Sequence, residues 1–456
     1  MNGFLLKALD THTNTTPLTF RTLKHFFFSG IETRSAYILA AIFFRIILEI
    51  GYLTYVNPFH AYRGFVLTLD SIKYVESWFI FLVLTVLAPC RLTKPSDFFL
   101  IILLFGLMVP LLSFYALADQ PRQYIYIVIL GYVLIDLFRR GRPFRFPTLY
   151  EGRLLAFILV ILGVAGVTAW LLFSGGFSFF NLNLTEVYQY RRAVGAIINA
   201  GVMGYINVWT WKVFGPALLT IGLWRKKYWL AAFVIGLHVY WFGVSAHKSV
   251  LFYPLLPIFI WLFFRHRSAL IIVPIGAAGI VVASLLFFFI LDYGLPSSLF
   301  IRRIFYVIAN NTFDYYEFFN NHSWVWWSNT SFSLGLQNYP YDLNPAELIG
   351  HWRGTENHVN STFLSTGYMH AGIYGIVLYG VLTGLLFRFI DSLASKGLPH
   401  WIVLGILVVP CQTLLLSADL PTSLLTHGFG IGILIIFLMR KSIIDKQSRE
   451  NTKLKY

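Results

Sequence analysis

Long uninterrupted runs of apolar residues recur along the chain, separated by polar stretches. Residues 154–173 (LLAFILVILGVAGVTAWLLF) and residues 269–291 are the clearest examples. Each has the roughly 20 residues that an α-helix needs to cross about 30 Å of hydrocarbon. The pattern therefore predicts an all-α, polytopic membrane protein with about twelve transmembrane helices. The predicted spans are 36–55, 76–90, 98–117, 123–138, 153–174, 203–224, 228–246, 249–264, 269–291, 366–387, 399–417 and 423–439.

Composition excludes the two or three soluble domains that 456 residues would otherwise allow. Hydrophobic residues make up 57% of the chain and charged residues only 12%. Apolar side chains in this proportion need lipid as well as a protein core. We therefore treat residues 1–456 as a single transmembrane domain.

The distribution of basic residues predicts how the chain is oriented in the membrane. Roughly 24 of the 35 Lys and Arg residues fall in alternate short loops and in the two tails, which the positive-inside rule places in the cytoplasm. The net charge of +15 is thus explained by topology and does not indicate binding to nucleic acid. Residues 20–30 (FRTLKHFFFSG) have the aromatic and cationic spacing of a segment that lies in the membrane interface, and they do not resemble a cleavable signal peptide.

Two outward loops, 175–202 and 292–360, are much longer than the others and are predicted to form a cap on the outer side. Each carries an adjacent arginine pair near its junction with a span, Arg191 with Arg192 and Arg302 with Arg303. Guanidinium groups at this depth match a phosphate at the lipid headgroup level, because they stay charged and bind phosphate oxygens in a bidentate manner. The alternative is that both pairs only contact lipid headgroups.

Two further cationic positions are predicted from spacing. Lys248 lies in a short turn (SAHKSVLF) that is predicted to face outward. Two interpretations are open: Lys248 binds an anion, or it is an ordinary turn residue. Arg45 and Glu49 are four residues apart inside the first span, and an ion pair on one helix face is the simplest explanation.

The longer outward loop combines many aromatic and amide side chains, from NNTFDYYEFFNN to HWRGTENHVNSTF. Aromatic faces beside directional hydrogen-bonding groups suit sugars, although a packed aromatic cap without ligand would use the same residues. His351, Arg353, Glu356 and His358 lie within eight positions and place a potential proton acceptor beside a cation. The histidine spacing does not fit a metal site, and no P-loop or DxD motif is present, so neither a metal nor another cofactor is predicted.

The entry to the tenth predicted span resembles a known family. It reads HVNSTFLSTGYMHAGIYGIVLYGVLTGLLFRFID and is similar to the hallmark stretch of O-antigen polymerases, the Wzy-type oligosaccharide repeat unit polymerases of bacterial inner membranes. SAHKSVLFYPLLPIF and RRIFYVIANNTFDYYEFF resemble two other family segments, in the expected order. The matching positions in the hallmark stretch are Asn360, Gly367, His370, Gly372, Gly375, Gly380 and Asp391.

The resemblance implies a GT-C-like glycosyltransferase with its site facing the periplasm. It would extend a glycan carried on undecaprenyl pyrophosphate, with membrane lipid and a chain-length regulator protein as partners. His358 is the first candidate for the general base, with His370 and Glu356 behind it. The candidates for binding pyrophosphate and substrate are Arg191, Arg192, Lys248, Arg302, Arg303, Arg353 and Asn360.

Two alternatives remain at the level of sequence. An O-antigen ligase would share these features and transfer a finished polymer to lipid A core. A polysaccharide flippase would also suit twelve spans, but its central polar cavity disagrees with spans that carry so few charges.

Overall fold

The computed structural model of this chain describes residues 33–183, 186–330, 333, 335–395 and 397–440. The predicted interfacial segment 20–30 and most of both predicted cytoplasmic tails lie outside these residues. Within them the chain is helical and forms no β-strand, only an isolated bridge between Arg91 and Ala269. The all-α prediction is confirmed for the described part of the chain.

The α-helices correspond to the apolar runs of the sequence, and short π-helical and 3-10 segments continue several of them. The π-helical segments are Tyr52–Val56, Leu104–Met108, Thr210–Phe214 and Ser297–Tyr306, and the 3-10 segments are Ala61–Arg63 and Gly176–Phe179. The α-helices are Arg34–Gly51, Asn57–His60, Ser71–Leu87, Pro95–Leu103, Val109–Leu117, Arg122–Arg139, Gly152–Phe173, Val187–Ile198, Met203–Trp209, Gly215–Trp224, Tyr228–Ser245, Lys248–Phe252, Leu255–Phe264, Ile272–Leu291, Val307–Asn321, Pro345–Trp352, Phe363–Ala394, His400–Ser417, Leu420–Leu425 and Phe429–Met439.

Seven helices among the described residues are long and apolar enough to cross a membrane. Two shorter apolar helices, Lys248–Phe264 and Phe429–Met439, coincide with further predicted spans. These helices are compatible with a polytopic membrane protein, because a hydrophobic helix of this length spans the hydrocarbon core. The seven are Arg34–Arg63, Pro95–Leu117, Gly152–Phe173, Tyr228–Ser245, Ile272–Leu291, Phe363–Ala394 and His400–Ser417.

The segments rich in Lys and Arg meet at one end of the helix bundle, which we call the basic end. Arg34 donates to the carbonyl oxygen of Ala88 at 2.9 Å, and Arg440 donates to that of Pro147 at 3.1 Å. The continuous helix that begins at Arg34 ends at Arg63, about 45 Å away at 1.5 Å per residue. Arg63 therefore marks the opposite end, which we call the outer end.

The first helix carries the intramembrane ion pair that the sequence predicts. The Arg45 Nε lies 2.8 Å from the Glu49 Oε1, and both residues are buried. Arg45 also donates to the Ser77 backbone oxygen at 2.7 Å and to the Ser77 hydroxyl at 2.6 Å. These contacts join the first helix to Ser71–Leu87 and satisfy a charge that would otherwise be expensive in lipid.

Part of the stretch 292–360, expected to be an outward loop, is a helix packed into the bundle. Ser297–Tyr306 is π-helical and continues directly into Val307–Asn321. The Tyr306 hydroxyl donates to the Leu48 carbonyl oxygen at 3.0 Å, in the middle of the first helix. The sequence predicts a loop here because polar residues such as Asn310 and Asn311 are typical of an exposed segment. In the structure both asparagines are buried in the helix.

The helix Phe363–Ala394 is sharply broken at Ala371 and Gly372, where Gly372 has φ 58° and ψ −138°. The break leaves carbonyl groups without partners inside the helix. The backbone N–H of Val325 donates to the Met369 oxygen at 3.0 Å, and that of Trp326 donates to the His370 oxygen at 3.0 Å. A distant segment thus supplies the hydrogen bonds that the broken helix lacks.

Candidate functional site

A cavity of about 720 Å³ opens near the outer end of the bundle and brings four stretches of chain together. These are the turn after the first helix, the helix that begins at Ser297, the end of the helix Pro345–Trp352, and the non-helical segment before Phe363. Its charged lining residues and its histidine are Arg63, Arg302, Arg303, Asp314, Arg353 and His358. We call this the arginine cavity.

Three guanidinium groups in the arginine cavity have no acidic partner in the part of the chain that the structure describes. Within the described residues, no carboxylate forms a salt bridge with Arg63, Arg302 or Arg303. Arg302 is 9% exposed and donates to the Ser298 hydroxyl at 3.1 Å. Burial, followed by the positive charges of Arg63 and Arg303, lowers the pKa of Arg302 from its usual value. Because arginine nevertheless stays charged at neutral pH, the cluster favours an anion that would relieve this repulsion.

Arg353 differs from these three because it is neutralised within the protein. Its guanidinium forms an ion pair with Asp314 and donates to the Asn311 side-chain oxygen at 3.0 Å. The Asn311 amide in turn donates to the Asn360 carbonyl oxygen at 2.7 Å. Arg353 therefore joins the helix Val307–Asn321 to the chain that enters the broken helix, and it forms one wall of the cavity.

His358 is the histidine that lines the arginine cavity. Its side chain is 61% exposed, and its Nε2 lies 3.4 Å from the Glu347 Oε1. A carboxylate at this distance holds an imidazole in one orientation, as a general base requires. The aromatic ring of Trp352, which is 39% exposed, also lines the cavity and offers a face to a sugar ring.

His370 lies elsewhere, in a buried network at the helix break that we call the Asp419 network. Its Nε2 lies 3.2 Å from the Asp419 Oδ2, and its Nδ1 accepts the backbone N–H of Trp327 at 3.1 Å. The other Asp419 oxygen accepts from the Thr366 hydroxyl at 2.8 Å and the Tyr379 hydroxyl at 2.9 Å. Since Nδ1 accepts, the proton sits on Nε2, and both nitrogens of His370 are occupied.

Several predicted site residues lie outside the arginine cavity. Arg191 is exposed on the helix Val187–Ile198, and the side chain of Arg192 lies outside the described part of the chain. Lys248 begins the helix Lys248–Phe252, directly after His247. Burial, and then the charges of Arg191 and Lys212, lowers the pKa of His247 to about 4. A second cationic group of residues thus forms around the short turn before Lys248, separate from the arginine cavity.

Glu356 is exposed and stands between the cavity residues Thr355 and Asn357 without lining the cavity itself. Arg302, Arg303, Arg353 and His358 are therefore the predicted residues that the fold brings together.

Sequence reasoning missed some residues that shape the two sites. Arg63 is not among the predicted site residues, although it lies in the polar turn that follows the first predicted span. Asp314 and Asn311 sit in a stretch interpreted as loop, where helical spacing would have placed them on one face. Asp419 follows the eleventh predicted span as a lone acid, and nothing in the local pattern pairs it with His370.

Among the described residues, no group of three or more His, Cys, Asp and Glu side chains could hold a metal ion. Searches of protein-family models, of curated proteins and of solved structures each find no match to this chain.

Proposed function

We propose that this protein is a lipid-donor glycosyltransferase of the O-antigen polymerase type. It would transfer a glycan from a polyprenyl pyrophosphate to a hydroxyl of a second lipid-linked repeat unit. The observation that carries the proposal is the arginine cavity, where Arg63, Arg302 and Arg303 have no carboxylate partner among the described residues. A cationic cavity at the end of a membrane helix suits a pyrophosphate held at headgroup level.

The proposed reaction needs a proton acceptor and a stabilised leaving group. The acceptor hydroxyl attacks the anomeric carbon, the bond from that carbon to the pyrophosphate oxygen breaks, and His358 takes the hydroxyl proton. Arg302 and Arg303 stabilise the negative charge that develops on the departing pyrophosphate. We assign the base to His358 rather than His370, because both ring nitrogens of His370 are already engaged in the protein.

The finer expectations belong to the same proposal. They are about twelve transmembrane helices, a GT-C-like architecture, the bacterial inner membrane, both termini in the cytoplasm and a site facing the periplasm. The donor would be carried on undecaprenyl pyrophosphate, and a chain-length regulator would act beside the enzyme. The gathering of basic segments at the end opposite to the arginine cavity supports this orientation.

The direct test is elongation by the purified full-length protein supplied with lipid-linked repeat units. We expect products longer than one repeat, and His358→Ala should reduce their formation by about 10²–10⁴-fold, the usual contribution of a general base. His351→Ala serves as the matched control, because His351 is a neighbouring exposed histidine that does not line the cavity. Absence of elongation by the wild type would refute the polymerase assignment.

The alternatives predict different lipopolysaccharide from a deletion strain. Loss of a polymerase leaves core carrying a single repeat, whereas loss of a ligase leaves core without any O-antigen. Loss of a flippase also removes O-antigen, but purified flippase would not elongate lipid-linked repeats in detergent. A strain whose core carries no repeat at all would argue against the proposed polymerase.

A further inference from the structure

A second cavity, of about 410 Å³, lies at the basic end, far from the arginine cavity. It opens between the start of Gly152–Phe173, the end of Gly215–Trp224 and the start of Tyr228–Ser245. Phe157 and Leu230 belong to its largely apolar lining. Its interior therefore suits a hydrocarbon chain.

The rim of this cavity is cationic. Arg153, Arg225 and Lys227 line it, and no Asp or Glu is present among its described lining residues. The guanidinium carbons of Arg153 and Arg225 each lie 5.9 Å from the ring centroid of Trp224. The indole thus lies beside two positive charges and lines the same cavity as the apolar side chains, an arrangement typical of the boundary between acyl chains and headgroups.

The charge of the rim decides which occupant fits. The C-terminal residues 441–456 begin beside Met439, which lines the cavity, but they contain five Lys and Arg residues and only two acidic ones. A segment of the same sign as the rim would be repelled. An apolar tail joined to a negatively charged phosphodiester matches both the interior and the rim, as in basic pockets between membrane helices.

We propose that this cavity binds an anionic phospholipid of the membrane leaflet at the basic end. The phosphodiester lies between Arg225 and Lys227, and one acyl chain enters the apolar cavity past Trp224. The lipid would be a structural ligand that joins the helix Gly152–Phe173 to the following pair of helices. This proposal is independent of the function assigned to the arginine cavity.

Native mass spectrometry of the purified full-length protein tests it, with dioleoyl phosphatidylglycerol and dioleoyl phosphatidylcholine as probes. We expect one phosphatidylglycerol to remain bound where phosphatidylcholine is lost. Arg225→Gln and Lys227→Gln should each weaken binding roughly fivefold, since one cation near an anionic headgroup contributes about 1 kcal/mol. Glycerol phosphate, which has the charge without acyl chains, should not displace the lipid.

Lys226→Gln is the matched control, because Lys226 lies between the two rim cations but does not line the cavity. It changes the net charge equally and should leave phosphatidylglycerol binding unchanged. Equal binding of the two lipids, equal weakening by all three substitutions, or displacement by glycerol phosphate would each overturn the proposal.

Discussion

The arginine cavity and the Asp419 network contain similar residues in opposite states. Both combine histidine, a carboxylate and aromatic rings. In the network, every polar side-chain atom of Asp419 and His370 has a partner inside the protein, and His370 is fully buried. In the cavity, Arg302 and Arg303 have no acidic partner among the described residues, and His358 is largely exposed. Satisfied groups hold a structure together, whereas unsatisfied cations are available to a ligand.

The largest expected effect is on activity at the arginine cavity. Arg302→Ala should lower the rate of glycan elongation by about 10²–10³-fold, the usual cost of losing one donor to developing negative charge. Arg191→Ala is the control, since Arg191 is exposed outside the cavity. The assay is elongation by purified protein, with size-exclusion chromatography to verify folding. Full activity of Arg302→Ala would contradict the proposed catalytic role of the arginine cavity.

The Asp419 network should respond in stability instead. Asp419→Ala removes the acceptor of three buried donors, on Thr366, Tyr379 and His370. We expect a loss of about 3 kcal/mol in the free energy of unfolding, because buried polar groups left without partners are strongly destabilising. Thermal unfolding of the detergent-purified protein measures this loss. An unchanged unfolding temperature with abolished elongation would instead place Asp419 in the chemistry.

A ligand-binding measurement distinguishes the arginine cavity from the Asp419 network without an activity assay. Inorganic pyrophosphate at 100 times its dissociation constant should stabilise the wild type by about 2.7 kcal/mol, because it binds only the folded state. The shift should vanish in Arg302→Ala and shrink as salt screens the charges. His370→Asn should lower the baseline stability and retain the shift, since His370 does not line the cavity. A shift that depends on His370 would contradict the separation.

The smallest expected effect concerns the helix break beside the network. A Cβ added to Gly372, which has φ +58°, would meet the Trp324 ring at 2.6 Å. Gly372→Ala should therefore cost about 1–3 kcal/mol of stability through backbone strain and steric contact. Gly279→Ala is the control, because Gly279 lies in a regular helix with open space around its Cβ position. Equal unfolding temperatures for both variants would show that the helix break does not require glycine at position 372.

Local chemistry explains which features the sequence could predict. The apolar runs predict the long helices, because a helix that crosses the hydrocarbon core needs about 20 consecutive apolar residues. Arg45 and Glu49 pair as expected, because four residues of helix fix their relative position. The sequence predicts only in part that Arg302 and His358 line one cavity. It shows that both belong to the stretch 292–360, but it does not show how that stretch folds.

The remaining features depend on contacts between distant residues. His370 pairs with Asp419, 49 positions away, and accepts from Trp327, 43 positions away. The sequence around Gly372 reads as one continuous helix, because the broken turn is stabilised by backbone groups of residues 325 and 326 that no local pattern connects to it. The resemblance to O-antigen polymerases points to His370 as well as His358. Only the tertiary contacts show that His370 belongs to a buried network whereas His358 lines the cavity.

The π-helical stretch Ser297–Tyr306 sets the angular placement of everything that follows it. A π-helix has more residues per turn than an α-helix, so neighbouring side chains diverge less, and Arg302 and Arg303 reach the same cavity. Deleting a single residue here would change the rotation between the two ends of the stretch, and so the direction in which Asn311 and Asp314 face Arg353. The site therefore depends on the register of this stretch as well as on the identity of the residues that line the cavity.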